Sequence, residues 1–570
     1  MRSATSRLVL AVATAVFCVL AVRQAWTDGP TYDEATDLTS ALTALTRHDL
    51  RATPQHGPLF RELAAAPLLA WRPYVPGGAA WARGNGHDLG VAFMRHEAAA
   101  GHLRRDFFVA RLVPVALTAA VAWLLAVLAD GLFGGWAGLF AGLLWLANPF
   151  VVGMGHIDGI DVPATLTTVL VALAVLRARR APSRWAVALV GVAGGLAILA
   201  RLTGVLVVGA AALALVAAGW RDDRGRAIAR AAAVVGLAWA TVMAVYAVLS
   251  PADLAPGHGG VVAALAVPLG HLVLPPAWRR GTLHLLRVGN EPGPAFVLGR
   301  AHTGRWLWFW PASLVVKWPP TTLLILATIP LTWWRLPRAV RREAAWVVAL
   351  PALALTLFTV QQQRPLGLRY LLPVLALWLV AAAPVVDTLR GAARPAVMTL
   401  AVAGGLIPAL ATPALAWTDP MLGRGYQTAT DSNLDWGQSY DTLAAWTARH
   451  PAWVDYFGPS GLGAATLPGA RGDLAAAPAG LTGWVAVSAS RLTAYDRRGE
   501  AWLRAYCPVG VLADSVLLYR FAVPPDRALH GPDRPPGLCR DRARSVAVVS
   551  PGARGRSSPD RAAPRAGTRS

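Results

Sequence analysis

Two acidic strings, one lysine and one polar string are the places where this chain could do chemistry. Thr31-Tyr32-Asp33-Glu34 puts adjacent carboxylates just past the first apolar run, and His156-Ile157-Asp158-Gly159-Ile160-Asp161-Val162-Pro163 puts two more at the start of a later one. Carboxylates at a membrane surface can take a proton from a hydroxyl, orient it, or hold a cation. The plainer alternatives are solvated loop acids for Asp33 and Glu34 and helix capping for Asp161, which stands directly before Val162-Pro163. His56-Gly57-Pro58 is either a proton shuttle or ligand, or a turn contact. Lys317 is the only lysine in the chain. It lies about a turn into an apolar run, where a cation is costly unless paired, and an anionic lipid phosphate is a natural partner. Arg201 and Arg369 stand at ends of apolar runs, where arginine either snorkels to headgroups or binds phosphate. Asp431-Ser432-Asn433-Leu434-Asp435-Trp436-Gly437-Gln438 combines hydrogen-bonding side chains with an indole, as sugar recognition does, and equally suits a capped, packed loop.

The elements that must position these residues are apolar helices. Of 570 residues 55% are hydrophobic and 15% charged, against about 25% charged in a soluble domain. The net charge of +22 does not mark a nucleic-acid binder, because the arginines sit in short clusters between apolar runs. Runs begin near Leu8, Phe108, Leu132, Pro163, Trp185, Val205, Ala227, Ala312, Ala345, Tyr370 and Ala396, giving about eleven spans of the length a bilayer requires. With a cytoplasmic N-terminus, the clusters Arg177 to Arg184, Arg221 to Arg230, Arg335 to Arg342, and Arg390 with Arg394 all fall on the cytoplasmic side. Residues 27–105, 251–311 and those after 413 then lie outside. The expected fold is an all-α polytopic membrane protein, residues 1–413, followed by a small extracytoplasmic α/β appendage over 414–523. Within it Ser439 to His450 reads as helix, and Trp484 to Ser488 and Ser515 to Val523 as strands. Pro58 to Trp71 is amphipathic enough for a short interfacial helix. Residues 524–570, rich in Arg, Pro, Ser and Gly, read as disordered. Of Cys18, Cys507 and Cys539, only the last two are candidates to pair.

Together these strings resemble a known family, the bacterial GT-C glycosyltransferases similar to protein O-mannosyltransferases and aminoarabinose transferases (glycosyltransferase family 39 type). Tyr32-Asp33-Glu34 matches the acidic pair of the first outer loop. His56-Gly57-Pro58-Leu59 matches its His-Pro-Pro-Leu, with Gly57 in place of a proline. Asp161-Val162-Pro163 matches the second acidic motif, and the stretch Phe296 to Pro320 is similar to the family's aromatic and Leu-Lys-x-Pro sequence. Leu368-Arg369-Tyr370-Leu371-Leu372-Pro373 and Asp431 to Gln438 match two further elements. The resemblance implies a GT-C fold and inverting transfer of a sugar from a polyprenyl-phosphate donor to an extracytoplasmic hydroxyl or amine. By the same implication Asp33 is the base, Glu34 its supporting neighbour and Asp161 a second acid. Lys317 and Arg369, with Arg201 where relatives often carry lysine, would neutralise the donor phosphate. Acceptor or sugar contacts would fall to His56, Asp158, Asp431, Asn433, Asp435, Trp436 and Gln438.

A donor that already carries its phosphate leaving group needs no nucleotide fold, and the chain has no Gly-rich phosphate loop in a strand-helix setting. Asp33, Asp161 and His56 are adequate ligands for a divalent cation, but Lys317 and Arg369 could neutralise the phosphate alone, so no metal is expected to be obligatory. The expected partners are the lipid-linked donor, the bilayer, and a protein, lipid or glycan acceptor, with no nucleic acid. Mannose is the first sugar to try. The Ala/Arg/Gly-heavy composition suggests a high-GC bacterium and its plasma membrane. A secondary transporter is the main alternative, since intramembrane charges also mark transport pathways; a scaffold binding wall polymers is another.

Overall fold

The structure, a computed structural model, describes residues 3–251, 275–411, 413–496 and 499–539. Among the described residues seven helices are long and apolar enough to cross a membrane. These are α1 (Ala4–Thr27), α5 (Leu103–Phe133), α7 (Asp161–Arg180), α10 (Arg224–Leu249), α15 (Arg338–Val360), α16 (Leu368–Thr388) and α17 (Ala393–Ala411). Three further apolar runs form shorter helices, α6 (Ala137–Ala147), α8 (Arg184–Ala200) and α9 (Gly204–Gly219); α11 is Pro276–Gly289. The run near Ala312 is not one continuous helix. It divides into α12 (Phe309–Lys317), α13 (Pro320–Ala327) and α14 (Ile329–Arg335), because Pro319, Pro320 and Pro330 cannot donate to the preceding turns. The chain is thus a helical multi-pass membrane protein with a small C-terminal sheet region.

Burial ranks the spans. The most apolar stretches of α7 and α16 are 83% and 78% enclosed, whereas those of α1, α10 and α17 are only 22% enclosed. The first two form the centre. The others turn Leu8, Val19, Ile228, Leu400 and Ile407 outward, as a lipid-facing surface requires. Asp161 opens α7 and Arg369 opens α16, so the two central helices each bring a charge to the same end of the bundle.

Segments expected on one side of the membrane do meet. The first long loop contributes α2 (Glu34–Arg47), α3 (Phe60–Ala65) and α4 (Gly86–Ala100); α3 and the 3-10 turn over Ala66–Trp71 that continues it span the short helix expected over Pro58 to Trp71. The Gly29 amide donates to the Gln438 carbonyl at 2.7 Å and that of Tyr32 to the Trp436 carbonyl at 2.8 Å. Strands β1 (Pro294–Val297) and β2 (Arg300–Thr303) form a hairpin whose turn residues Leu298 and Gly299 have φ of 50° and 77°, as a two-residue primed turn needs. The Leu298 amide reaches the Thr428 carbonyl at 2.9 Å. The arginine clusters gather at the other end: Arg179 pairs with Glu343 at 3.2 Å, and Arg180 donates to the Gly131 carbonyl at 2.7 Å.

The appendage holds a five-stranded sheet of order β4-β3-β5-β7-β6, where β3 is Ala452–Asp455, β4 Ala470–Asp473, β5 Gly483–Ser488, β6 Gly510–Leu512 and β7 Val516–Phe521. β3 runs parallel to β4 and β5, and β7 antiparallel to β5 and β6. The helix over Tyr440–Thr447, β5 and β7 lie where the sequence indicates. Its hydrophobic core is continuous with that of the spans. Residues 524–539 are a correction to the expected disorder: Cys539 is disulfide-bonded to Cys507, and the Pro535 carbonyl accepts from Gln427 at 2.8 Å. Residues 540–570, and 252–274 of the second long loop, lie outside the described residues.

Candidate active site

Arg369 is the centre of the site. Its Nη2 donates to Asp33 Oδ2 at 2.9 Å and its Nη1 to Asp161 Oδ2 at 3.3 Å, across 336 and 208 residues of chain. Asp161 also accepts from Arg201 Nη1 at 2.9 Å. Asp33, Arg369, Asp161 and Arg201 therefore form one alternating row of charges. The Arg369 guanidinium lies over the Trp436 ring at 4.2 Å, a cation-π contact that also fixes its plane. Its Nε–H is buried with no partner among the described residues, leaving an unmet donor in a guanidinium otherwise held by carboxylates.

A cavity of about 480 Å³ opens on the Asp33 and Arg369 end of this row, lined by those two with Asp431, Trp436, Arg364 and Tyr495, among others; Asp161 and Arg201 lie behind its wall. Asp33 keeps 32% of its side-chain surface exposed. Enclosure raises its pKa above the ordinary carboxylate value, Arg369 opposes that, and nearby Asp37 adds to it. A carboxylate whose basicity is raised and which faces a cavity is suited to accept a proton. Asp431 adopts φ 52°, accepts from the Ser432 amide and the Tyr495 hydroxyl, and is pushed up to about 6 by burial.

The neighbours of this row are structural. Glu34 does not line the cavity: it is fully buried in a bidentate pair with Arg111 at 2.8 and 2.6 Å and accepts the amides of Thr31 at 2.8 Å and Asp158 at 3.0 Å. Burial works against its charge, but Arg111 and the two amides outweigh it and hold the carboxyl below its usual range. Arg111 also donates to the carbonyls of Ala25, Asp28 and Gly29. The pair thereby ties the end of α1, the start of α2 and the loop before α7 to one point, which sets where Asp33 stands.

Several expected contacts fall elsewhere. Lys317, expected beside the donor phosphate, does not line this cavity; it is fully buried and its Nζ donates to the carbonyls of Leu415 at 2.8 Å and Trp417 at 2.5 Å. Those carbonyls, freed after the last span, are the partners its burial demanded. His56 is bonded to Asp37 at 2.6 Å, with Arg61 on the same carboxylate at 3.2 Å, and is not in the cavity wall. Asp158 is buried behind Glu34, and burial together with the Glu34 charge pushes its carboxyl well up. In the polar string, only Asp431 and Trp436 face the cavity. Asn433 Oδ1 accepts the Leu368 amide at 2.9 Å, Asp435 accepts the Ser490 amide at 3.1 Å, and Gln438 caps Trp436 and Leu434. These three hold the frame on which Arg369 and Trp436 are set. Asp33, Asp161 and His56 do not converge as a ligand set, and no three His, Cys, Asp or Glu among the described residues are arranged for a metal ion.

Tyr495 and Arg491 also line the cavity, and Arg111, Asp37 and Arg61 support the residues around it, though no motif marks any of the five. Arg111 carried the same signal as Lys317, a cation inside an apolar span. Asp37 follows Asp33 by one helical turn and so shares its face.

The sequence profile of the dolichyl-phosphate-mannose-protein mannosyltransferase family matches residues 103–246, which hold α5 to α10. It is the family type that the motifs resemble. Among solved structures the chain is similar to ArnT from Cupriavidus metallidurans bound to undecaprenyl phosphate, at 14% identity over 93% of this chain and 100% of that one, with a TM-score of 0.47. It is similar to the Saccharomyces cerevisiae Pmt1-Pmt2 O-mannosyltransferase complex bound to its sugar donor at 14% identity, over 52% and 39%, with a TM-score of 0.32. The Archaeoglobus fulgidus oligosaccharyltransferase in complex with Zn and sulfate aligns at 13% identity over 88% and 72%, with a TM-score of 0.40. No curated protein matches the sequence.

Proposed function

We propose that this protein is a membrane glycosyltransferase that moves a sugar, mannose as the first candidate, from a polyprenyl-phosphate donor to an extracytoplasmic acceptor with inversion. The observation that carries this reading is the single guanidinium of Arg369, which lines the cavity beside Asp33 and holds both Asp33 and, behind the wall, Asp161. An acid, and a cation with an unmet donor, stand together at the ends of the two most enclosed spans. The family match over residues 103–246 supports it. So does the Cys507–Cys539 disulfide, since disulfides persist in oxidising compartments, in keeping with a bacterial plasma membrane protein whose appendage is outside.

Transfer needs a base on the acceptor side and positive charge on the leaving group. Asp33 takes the acceptor proton as the acceptor atom forms its bond to the anomeric carbon from the face opposite the phosphate. The anomeric C–O bond breaks, and its electrons leave on the polyprenyl phosphate. Arg369 and Arg201 stabilise that charge, and Asp161, between them, keeps both guanidiniums at one point. No obligatory metal is invoked, because two arginines already serve the phosphate.

The donor phosphate and Asp33 compete for Arg369. Donor binding therefore draws Arg369 off Asp33 and leaves the carboxylate more basic when the acceptor arrives. The test is Asp33→Asn in nanodiscs with radiolabelled polyprenyl-phosphate mannose: turnover should fall by about 10³-fold or more, at the upper range for a lost general base, with donor binding kept. Full turnover in Asp33→Asn would overturn the assignment of the base.

A further inference from the structure

The cavity has a second wall. Arg369 opens a span and lines the cavity, so one wall belongs to the helical bundle. The far side belongs to the appendage, through the loop 456–464 with Asp455, Asp473 and Arg491. In the order β4-β3-β5, β3 has a parallel partner on each side; the chain leaves β3 for β4 on one flank and then crosses to β5 on the other. Parallel sheets bind ligands in the crevice outside the carboxyl ends of such strands, where the connections diverge. Asp455 ends β3, Asp473 ends β4, and Arg491 follows β5. The crevice required by sheet topology and the cavity holding Asp33 are one space.

The chemistry of this wall is mixed. Asp473 and Arg491 are half-buried. Asp473 accepts the Ala475 amide at 3.0 Å, and Arg491 is held by buried Asp455 at 3.3 Å. Half-buried Ser460 stands in the loop that follows β3 and also lines the cavity. Tyr32, next to Asp33, is 39% exposed and stacks on Phe457 of the appendage at 5.5 Å. A carboxylate, a guanidinium and a hydroxyl around an exposed aromatic ring complement a molecule with many hydroxyls and an apolar ring face. A peptide acceptor is instead taken along a strand edge or in an extended groove, and this wall is made of strand ends.

We propose that the carboxyl-end crevice of the appendage is the acceptor subsite and that its ligand is a saccharide, held by Asp473 and Arg491 with Tyr32 beneath its ring. One saccharide hydroxyl then faces Asp33, loses its proton to that carboxylate and bonds the donor's anomeric carbon as the phosphate leaves. The inference rests on the glycosyltransferase reading for turnover but not for binding, so the two are measured apart. Full-length protein in nanodiscs is titrated with short manno-, gluco- and arabino-oligosaccharides and with Ser/Thr-rich peptides by saturation-transfer NMR without donor, then assayed with polyprenyl-phosphate mannose. Oligosaccharides should bind, and Ser460→Trp, which fills the crevice, should weaken them by about tenfold or more while polyprenyl-phosphate binding is kept. Asp473→Asn, which keeps the cap on Ala475, should raise the acceptor KM about tenfold with donor KM within about twofold, the loss expected for a charged hydrogen bond. Saccharide binding unchanged in both variants, or peptides bound and glycosylated while no oligosaccharide binds, would overturn the subsite. Saccharide binding that Ser460→Trp abolishes, in a protein that never turns donor over, would sustain the subsite and defeat the transferase reading.

Discussion

Replacing Arg369 by glutamine tests whether Asp33 is the base and whether donor phosphate displaces it from its partner. The pair is 2.9 Å apart, so charge centres about 4 Å apart at an effective dielectric near 20 attract by about 4 kcal/mol. At 1.36 kcal/mol per pKa unit this is about 3 units before screening. A third of the Asp33 side chain is open to solvent, which reduces the expected effect to about 1–2 units. Burial already raises the Asp33 pKa and Arg369 opposes it; without that cation the pKa rises further. The base acts deprotonated, so the acid limb of kcat/KM, which reports the free enzyme, should move to higher pH by about 1–2 units. The wild type carries an internal control. If the bound phosphate takes Arg369, the acid limb of kcat, which reports the donor complex, should lie above that of kcat/KM. In Arg369→Gln the two limbs should coincide, and Arg369→Lys should leave the kcat/KM limb near its wild-type place. Arg369→Gln should also lower kcat/KM by about 10²–10³-fold through lost stabilisation of the leaving phosphate. Steady-state kinetics in nanodiscs from pH 5 to 9, at roughly one-unit steps spanning the carboxylate and physiological range, measures all of this. An Arg369→Gln limb that stays at the wild-type pH would refute the pairing as the control on Asp33.

Glu34→Gln should destabilise the fold by about 3–5 kcal/mol, because it leaves the fully buried Arg111 without its counter-charge; thermal unfolding in detergent should show a clear drop, and an unchanged midpoint would remove the structural role given to this pair. Asp435 is pushed up to about 7 by burial and binds its proton more tightly in the folded state than in the unfolded one. Its favourable contribution is complete below the unfolded value near 4 and is lost as pH rises through about 7. Thermal stability should therefore fall between those limits, and Asp435→Asn should flatten the slope; a variant with the wild-type slope would exclude Asp435 as its source.

The spans were legible because apolar length and arginine clustering are one-dimensional signals, and α1, α5, α7 and α10 begin close to where the hydropathy turns. The break at Pro319 and Pro320 was not anticipated, because two prolines inside an apolar run do not say whether the helix kinks or ends. The strands β3, β4 and β6 were not readable: each is three or four residues long, rich in Ala and Gly, and without alternation over enough positions to show a period. The folded stretch 524–539 was hidden by a disordered composition, since the Cys507–Cys539 bond that anchors it is a pairing that spacing could not establish. In the site, Asp33, Asp161, Arg201 and Arg369 were named from the sequence and are found together. Asp161 and Arg201 join through their ion pairs rather than through the cavity wall; Lys317, His56 and Asp158 were given the same kind of role and belong neither to that row nor to the cavity wall.

What separates those two groups is hydrogen-bond satisfaction, which a sequence does not display. A cation in an apolar span must find negative charge or carbonyls, and Lys317 finds Leu415 and Trp417 while Arg111 finds Glu34 and three carbonyls. Both are closed within the protein. Asp37 is closed in the same way by His56 and Arg61. Arg369 differs because its partners are carboxylates that themselves remain open to a cavity or to a second arginine. An incoming anion can exchange with Asp33 at Arg369 without exposing a new buried charge, whereas exchange at Arg111 would leave Glu34 uncompensated in the interior. Chemistry therefore falls to the pair whose breaking is cheap once a phosphate is present, and support falls to the pairs whose breaking is expensive under every condition.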